Sequence, residues 1–269
     1  MRLVAPFREA PAESAALFDV DGTLAPIVGD PGDSAVPAET SAALRELAAR
    51  FALVGCVSGR RAADARRLVG VEELVYVGNH GLELLAPGEE EAELDPVVAP
   101  NPLAAREFVG GLGALPGGAG LRVEDKGPIQ ALHWRGAPDE REAELQAQGI
   151  AEGARGAGLE PRFGRKVLEL WPVAGIDKGT AVRRLLGRPD LGLALFAGDD
   201  RTDLDAFRAL RALVAEGELR ATVCIGIASD EAPPELLREA DAVLRGPGEL
   251  VDLLRSLAAP ESSASRATG

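Results

Sequence analysis

Asp19 and Asp21 stand two residues apart at the end of an apolar run, in LFDVDGTLAP from Leu17 to Pro26. A second acidic group, Gly198-Asp199-Asp200 with Asp203 and Asp205 behind it, follows the apolar stretch LALFA. Carboxylates brought this close repel unless positive charge lies between them. Oxygen ligands of this kind favour Mg²⁺, which keeps several waters and also binds substrate phosphate. Ser58-Gly59-Arg60 comes directly after ALVGCV and opens a helical pattern, so it offers a hydroxyl and backbone N–H groups to a phosphate oxygen. Asp177-Lys178-Gly179-Thr180 offers an ammonium at another helix start. Each motif alone has a plainer reading: an acidic turn, Ser58 or Asp203 as a helix N-cap, a solvated lysine. Four of them at the ends of apolar elements make a phosphate-handling, cation-binding rim the better reading.

The elements that must carry these residues alternate. SAALFDV, ALVGCVS, ELVYVGNHG, LALFAGDD and ATVCIGIA read as strands; AETSAALRELAARF, RRAADARRLVG, IDKGTAVRRLLG, TDLDAFRALRALV and PPELLREA read as helices. Near-continuous apolar strands between helices predict an α/β fold, a doubly wound parallel sheet covered on both faces. The ends of its strands then form the rim where such sheets hold ligands. From Pro100 to Pro172 the texture changes to two Gly-ended helical stretches and two extended ones, LRVEDKGPIQALHWR and LEPRFGRKVLELWP, with turns expected at Lys126–Gly127 and Arg162–Gly164. The expected organisation is a discontinuous core, 1–99 and 173–259, an inserted α+β cap, 100–172, and a disordered polar tail, 260–269.

Composition narrows the partners. The chain has 269 residues, 46% hydrophobic and 27% charged, with a net charge of −14. That charge argues against nucleic acid or an anionic membrane as partner. No apolar run approaches the roughly 20 residues of a membrane helix, and the proline-broken MRLVAPFREAPAES does not read as a signal peptide. Cys56 and Cys224 lie in apolar runs and read as buried thiols, which points to the cytoplasm. A monomer acting on a small molecule is the expectation.

The order DxDGT, Ser, Lys, GDD resembles the haloacid dehalogenase superfamily of phosphotransferases. The resemblance implies that Asp19 is the nucleophile, that Asp21 is the general acid and then the base, and that Ser58 and Lys178 hold the transferring phosphoryl group. It also implies Mg²⁺ bound by Asp19, the backbone carbonyl of Asp21, and Asp199. YVGNHGLE, VEDKGPIQALHWR, GRKVLELWP and GDDRTDLDAF narrow the resemblance to the trehalose-6-phosphate phosphatases, from about Leu17 to Leu254. The family implies a C2-type cap and substrate contacts from His80, Glu83, Glu124, Lys126, Arg165, Glu169 and Asp203. Strand alternation adds that Glu124 and Lys126 share a face, as do Arg165, Glu169 and Trp171, placing charged groups beside an indole able to meet a sugar. Exposed ion pairs of little energetic worth are the plainer alternative. The chain departs from the family's pattern at Arg165, Trp171 and Leu204, which bears on sugar selectivity. Another capped phosphatase, acting on sucrose 6-phosphate or a hexose phosphate, is the nearest rival; a receiver domain would have no use for so long an insertion.

Overall fold

The structure, a computed structural model, describes residues 2–28, 34–113, 120–230 and 232–260. All of the expected tail but Pro260 lies outside them. The chain divides into two compact units, Met1–Ala92 with Asp177–Gly269, and Glu93–Ile176. The second unit thus begins before Pro100 and ends after Pro172, the prolines at which the composition changes.

The first pass of the chain through the core gives α1 (Ala5–Glu9), β1 (Ser14–Phe18), α2 (Ala38–Ala48), β2 (Leu53–Val57), α3 (Ala62–Val69), β3 (Val75–Gly78) and β4 (Glu83–Leu85). The second unit holds β5 (Glu93–Leu94), α4 (Ala104–Gly111), β6 (Arg122–Asp125), β7 (Gln130–His133), α5 (Glu140–Gly156), β8 (Glu160–Gly164) and β9 (Val167–Trp171). The return pass gives α6 (Lys178–Leu186), β10 (Leu193–Gly198), α7 (Asp203–Ala215), β11 (Ala221–Ile227), α8 (Pro234–Glu239), β12 (Ala242–Leu244) and α9 (Pro247–Ala258).

In the core the strands lie in the order β12-β11-β10-β1-β2-β3-β4. They pair in parallel except β3 with β4. Every residue of β1 and of β10 is buried, which is why these strands read as unbroken apolar runs rather than alternating ones. Alternation survives in which layer each residue joins. Ala16 and Phe18 face the layer with Leu44, Leu47, Leu250 and Leu254, while Ala15 and Leu17 face the layer with Val182, Leu186, Phe207 and Leu210. Burying each such Leu or Phe side chain contributes ~1.5–3 kcal/mol. The chain winds outward from β1 to β2 and β3 on one side and from β10 to β11 and β12 on the other. The order therefore reverses between β1 and β10, and a crevice opens beyond their carboxyl ends.

The second unit is α+β. Its sheet runs β6-β7-β9-β8, antiparallel throughout. Asp139 caps α5 by accepting from the N–H groups of Arg141 and Glu142, both at 3.0 Å. Ala143, Ala147, Ala151 and Ala154 give α5 a flat face that packs with Ala105 of α4 on Leu132, Leu168 and Leu170. Glu169 and Trp171, by alternation, take the other face of β9. The turn expected at Arg162–Gly164 is instead Arg165–Lys166, with Lys166 in the left-handed region at φ 60°. Gly164 is the last residue of β8, so the glycine that suggested a turn only borders one. No helix among the described residues is long and apolar enough to cross a membrane.

Candidate active site

The reversal between β1 and β10 places two acidic loops side by side. Asp19 leaves β1 with its N–H on the carbonyl of Ala197, at 2.9 Å, while Asp199 leaves β10 directly after Gly198. Carboxylate oxygens of Asp19, Asp199 and Asp203 lie within 4.8 Å of one another, and all three residues are buried. Gly22 makes this packing possible. Its φ of 84° lies in the left-handed region, and a Cβ there would collide with the carboxylate of Asp199. Thr23 donates its hydroxyl to Oδ1 of Asp199 at 3.2 Å and fixes that side chain.

Lys178 enters this acidic group from the first turn of α6. The helix start is held by a capping box in which Asp177 accepts from the N–H of Thr180 and Thr180 answers on the N–H of Asp177. The ammonium donates to Oδ1 of Asp19 at 2.6 Å and to Oδ1 of Asp203 at 2.7 Å. Burial opposes its charge, but the two carboxylates outweigh burial and push its pKa up, so it stays an ammonium. Asp203 is 0% exposed, and its other oxygen accepts from the N–H groups of Asp199, 3.0 Å, and Asp200, 2.9 Å. Both its oxygens are committed to the lysine and to the loop after β10, and it positions both.

One ammonium does not balance three carboxylates. Burial pushes the carboxyl of Asp19 well above the usual range, against the pull of Lys178, with Asp203 and Asp199 adding to the rise. Burial, then the charge of Asp203, pushes Asp199 up to about 7. Buried oxygen donors short of positive charge suit a hard divalent cation. Asp19 and Asp199 are placed to hold one, with Asp203 close enough to join them.

Asp21 does not share this cluster. Its half-exposed carboxylate receives the guanidinium of Arg60 in a two-pronged contact, Nε to Oδ2 at 2.6 Å and Nη2 to Oδ1 at 2.7 Å. Ser34 donates to Oδ1 at 3.2 Å. Arg60 is a partner that sequence reasoning missed. It was visible in Ser58-Gly59-Arg60, but no local pattern tells which acid a long basic side chain will reach.

Ser58 is buried at the end of β2. Its hydroxyl accepts from the N–H of Arg60 at 3.1 Å. It does not cap α3, which starts at Ala62. That cap comes from Glu83, whose Oε2 accepts from the N–H of Ala62 at 2.9 Å while Oε1 accepts from the amide of Asn79 at 3.0 Å. Burial pushes the carboxyl of Glu83 up. Glu83, expected at the substrate, is a buried brace for residues 58–62. The same loop is stitched to the end of β3 by Ser58 N–H to Val77 O, 2.9 Å, Asn79 N–H to Arg60 O, 2.7 Å, and His80 N–H to Ser58 O, 2.9 Å. His80 holds a left-handed backbone, φ 56°, with its imidazole against Gly59, where any Cβ would strike the ring.

The remaining expected residues belong to the inserted unit. Lys126 follows the end of β6 and donates to Oε1 of Glu169 at 2.8 Å. Trp171 donates its indole N–H to Oε2 of Glu169 at 3.1 Å. Glu124 meets His133 at 2.8 Å, and that hydrogen bond holds its carboxyl below the usual range. Glu124, Ala131 and Glu169 stand opposite one another across β6, β7 and β9, so Glu124 shares a face with the Lys126–Glu169 pair. Two further features concern β9. Trp171 is only 1% exposed, with the Arg162 guanidinium 3.8 Å from its ring centroid, so the indole is no open platform. Arg165 lies in the exposed turn rather than on the strand face of Glu169.

Residues 17–232 match the trehalose-phosphatase family. A trehalose-phosphate phosphatase of Mycobacterium marinum (strain ATCC BAA-535 / M) is 39% identical over 204 residues, 73% of this chain and 51% of that protein. A probable trehalose-phosphate phosphatase 9 of Oryza sativa subsp. japonica is 36% identical over an alignment of 274 residues, 89% of this chain and 68% of that protein. The chain thus spans about half the length of the mycobacterial relative. The solved C-terminal domain of the C. albicans trehalose-6-phosphate phosphatase superposes with a TM-score of 0.75 at 22% identity, covering 96% of each chain, and this likeness establishes the fold alone. Motifs at the crevice and similarity along most of the sequence lead to one statement: the chain belongs to the trehalose-phosphatase family.

Proposed function

We propose that the protein is a Mg²⁺-dependent phosphomonoesterase that converts trehalose 6-phosphate to trehalose and phosphate through an aspartyl phosphate on Asp19. The observation that carries this reading is the buried group of Asp19, Asp199, Asp203 and Lys178 at the neighbouring ends of β1 and β10, in a chain of this family.

Lys178 holds one oxygen of Asp19 and leaves the other to attack phosphorus. As the Asp19 O–P bond forms and the P–O bond to the sugar breaks, Asp21 gives its proton to the departing oxygen. Asp21 then takes a proton from a water that attacks the phosphoryl group, which releases phosphate and restores Asp19. The hydroxyl of Ser58 and the ammonium of Lys178 bind phosphoryl oxygens, so most of the catalysis is positioning and electrostatics. Mg²⁺ would be held by Asp19, Asp199 and the backbone carbonyl of Asp21, and when bound it supplies charge neutralisation at the phosphoryl oxygens. His80, Glu124, Lys126, Arg165 and Glu169 recognise the sugar. Two free buried thiols support a cytoplasmic setting, where the protein acts as a monomer.

A phosphate-release assay on trehalose 6-phosphate, sucrose 6-phosphate and glucose 6-phosphate, with and without Mg²⁺, tests the reading. The expected result is Mg²⁺-dependent release from trehalose 6-phosphate well above the other two. Equal turnover of glucose 6-phosphate would contradict it.

A further inference from the structure

Asp21 has a demanding task and a weak setting for it. A group that passes a proton to a departing oxygen and later takes one from water has to point the same way at both moments, since proton transfer depends on hydrogen-bond reach. Yet its side chain is 44% exposed, on the loop beyond β1, where Ser34 donates to one oxygen at 3.2 Å. The structure supplies direction by other means. Arg60 grips both oxygens with adjacent prongs of one planar group, a geometry that fixes orientation as well as distance. Arg60 is itself anchored. Its carbonyl accepts from Asn79, its N–H donates to Ser58 Oγ, and the loop ahead of it is braced by Glu83 at Ala62. A run of contacts thus leads from the buried end of β3, through the Ser58 loop, to the carboxylate of Asp21.

Stability alone does not account for this pair. Ion pairs exposed to this degree, 23% and 44%, typically contribute about 0–1 kcal/mol, and the two-pronged geometry places this one toward the upper end.

We propose that Arg60 is a positioning residue that sets the direction of the Asp21 carboxyl for proton transfer at the leaving oxygen. The proposal deepens the function given above and rests on its assignment of Asp21. As one oxygen turns to the sugar its prong opens, and the planar guanidinium fixes the direction of the other, which a freely rotating ammonium does not. The fork, not the charge, does this, so an ammonium in the same place does not replace it.

Leaving-group chemistry separates positioning from scaffolding. A sugar oxygen departs poorly without a proton, whereas the nitrophenolate of 4-nitrophenyl phosphate departs without one. The quantity to read is kcat/KM, which covers steps only through leaving-group departure and so excludes the later attack of water. Arg60→Ala, Arg60→Lys, Asp21→Asn and the double variant Arg60→Ala with Asp21→Asn are compared with wild type on both substrates, in Mg²⁺. Arg60→Ala and Arg60→Lys are each expected to lose roughly 100-fold on trehalose 6-phosphate. Each is expected to lose less than about tenfold on the aryl phosphate, which needs no proton. The double variant is expected to lose no more than Asp21→Asn alone, as residues acting as one unit do. Equal losses on both substrates, or unchanged kcat/KM on trehalose 6-phosphate, would overturn the proposal. If Asp21→Asn discriminates between the substrates and the Arg60 variants do not, only the role of Arg60 falls. If Asp21→Asn does not discriminate either, the assignment of Asp21 falls and takes the proposal with it.

Discussion

The ammonium of Lys178 lies 2.6 Å from Oδ1 of Asp19, although 159 positions of sequence separate the two residues. The contact is buried, and the same nitrogen lies 2.7 Å from Asp203. One lysine thereby neutralises part of the charge at the end of β1, keeps one oxygen of Asp19 turned aside, and ties α6 to α7.

Removing that lysine strands two carboxylates away from water. Lys178→Met keeps most of the volume and removes the charge. It should destabilise the metal-free protein by about 3–5 kcal/mol, the usual cost of removing one partner of a buried pair. Urea unfolding measures this directly. A loss under about 1 kcal/mol, the scale of an exposed pair, would show that solvent reaches the cluster.

The shortage of positive charge predicts a cation effect on stability. Mg²⁺ at a hundredfold excess over its Kd should add about 2.7 kcal/mol, which appears as a rise of several degrees in Tm, and EDTA should reverse it. Asp199→Asn should abolish most of the rise. A melting curve indifferent to Mg²⁺ would contradict a preformed site at Asp19 and Asp199.

Glu83 gives a pH dependence whose sign follows from its burial. Its carboxyl is raised above the ordinary 4.5 by burial, with the hydrogen bonds from Ala62 and Asn79 opposing the rise. The folded state therefore holds this proton more tightly than the unfolded chain. The resulting contribution to stability is complete below 4.5 and is lost as pH rises through the folded value. Glu83→Gln cannot titrate, so the stability of wild type relative to this variant should fall as pH rises from 4.5 through the folded value. Denaturant melts of both proteins across that range check it; a difference that rises with pH would refute the account.

Lys126 and Glu169 offer a test of sugar recognition. Lys126→Ala should lower kcat/KM for trehalose 6-phosphate at least about tenfold, the loss of one charged hydrogen bond, and leave 4-nitrophenyl phosphate within about threefold. Equal effects on both substrates would place Lys126 outside sugar binding.

The strands of the core were readable because a parallel sheet buries both faces, so SAALF and LALFAG stand out as apolar runs, and the acids that end them mark its rim. Much less readable was the partner of each acid. Asp203 in the first turn of α7 looks the same in sequence whether it caps its own helix, meets a ligand or reaches a lysine from another helix. Glu83 likewise carries no local sign that it caps α3. Such roles depend on where distant elements come to rest. Alternation placed Glu169 and Trp171 on one face of β9 but gave no warning that Arg162 covers the indole. Gly164 drew the hairpin turn too early, because a glycine next to a turn and a glycine within one give the same signal.

Asp19 should carry the phosphoryl group once in every turnover. A rapid acid quench of the Mg²⁺-loaded enzyme with trehalose 6-phosphate, followed by mass analysis of the peptide that contains Asp19, measures this most directly. The expected result is one added phosphoryl group on that peptide in wild type and none in Asp19→Asn, which should also be inactive though folded. Turnover by Asp19→Asn near the wild-type rate, or a phosphoryl group on a different residue, would contradict it.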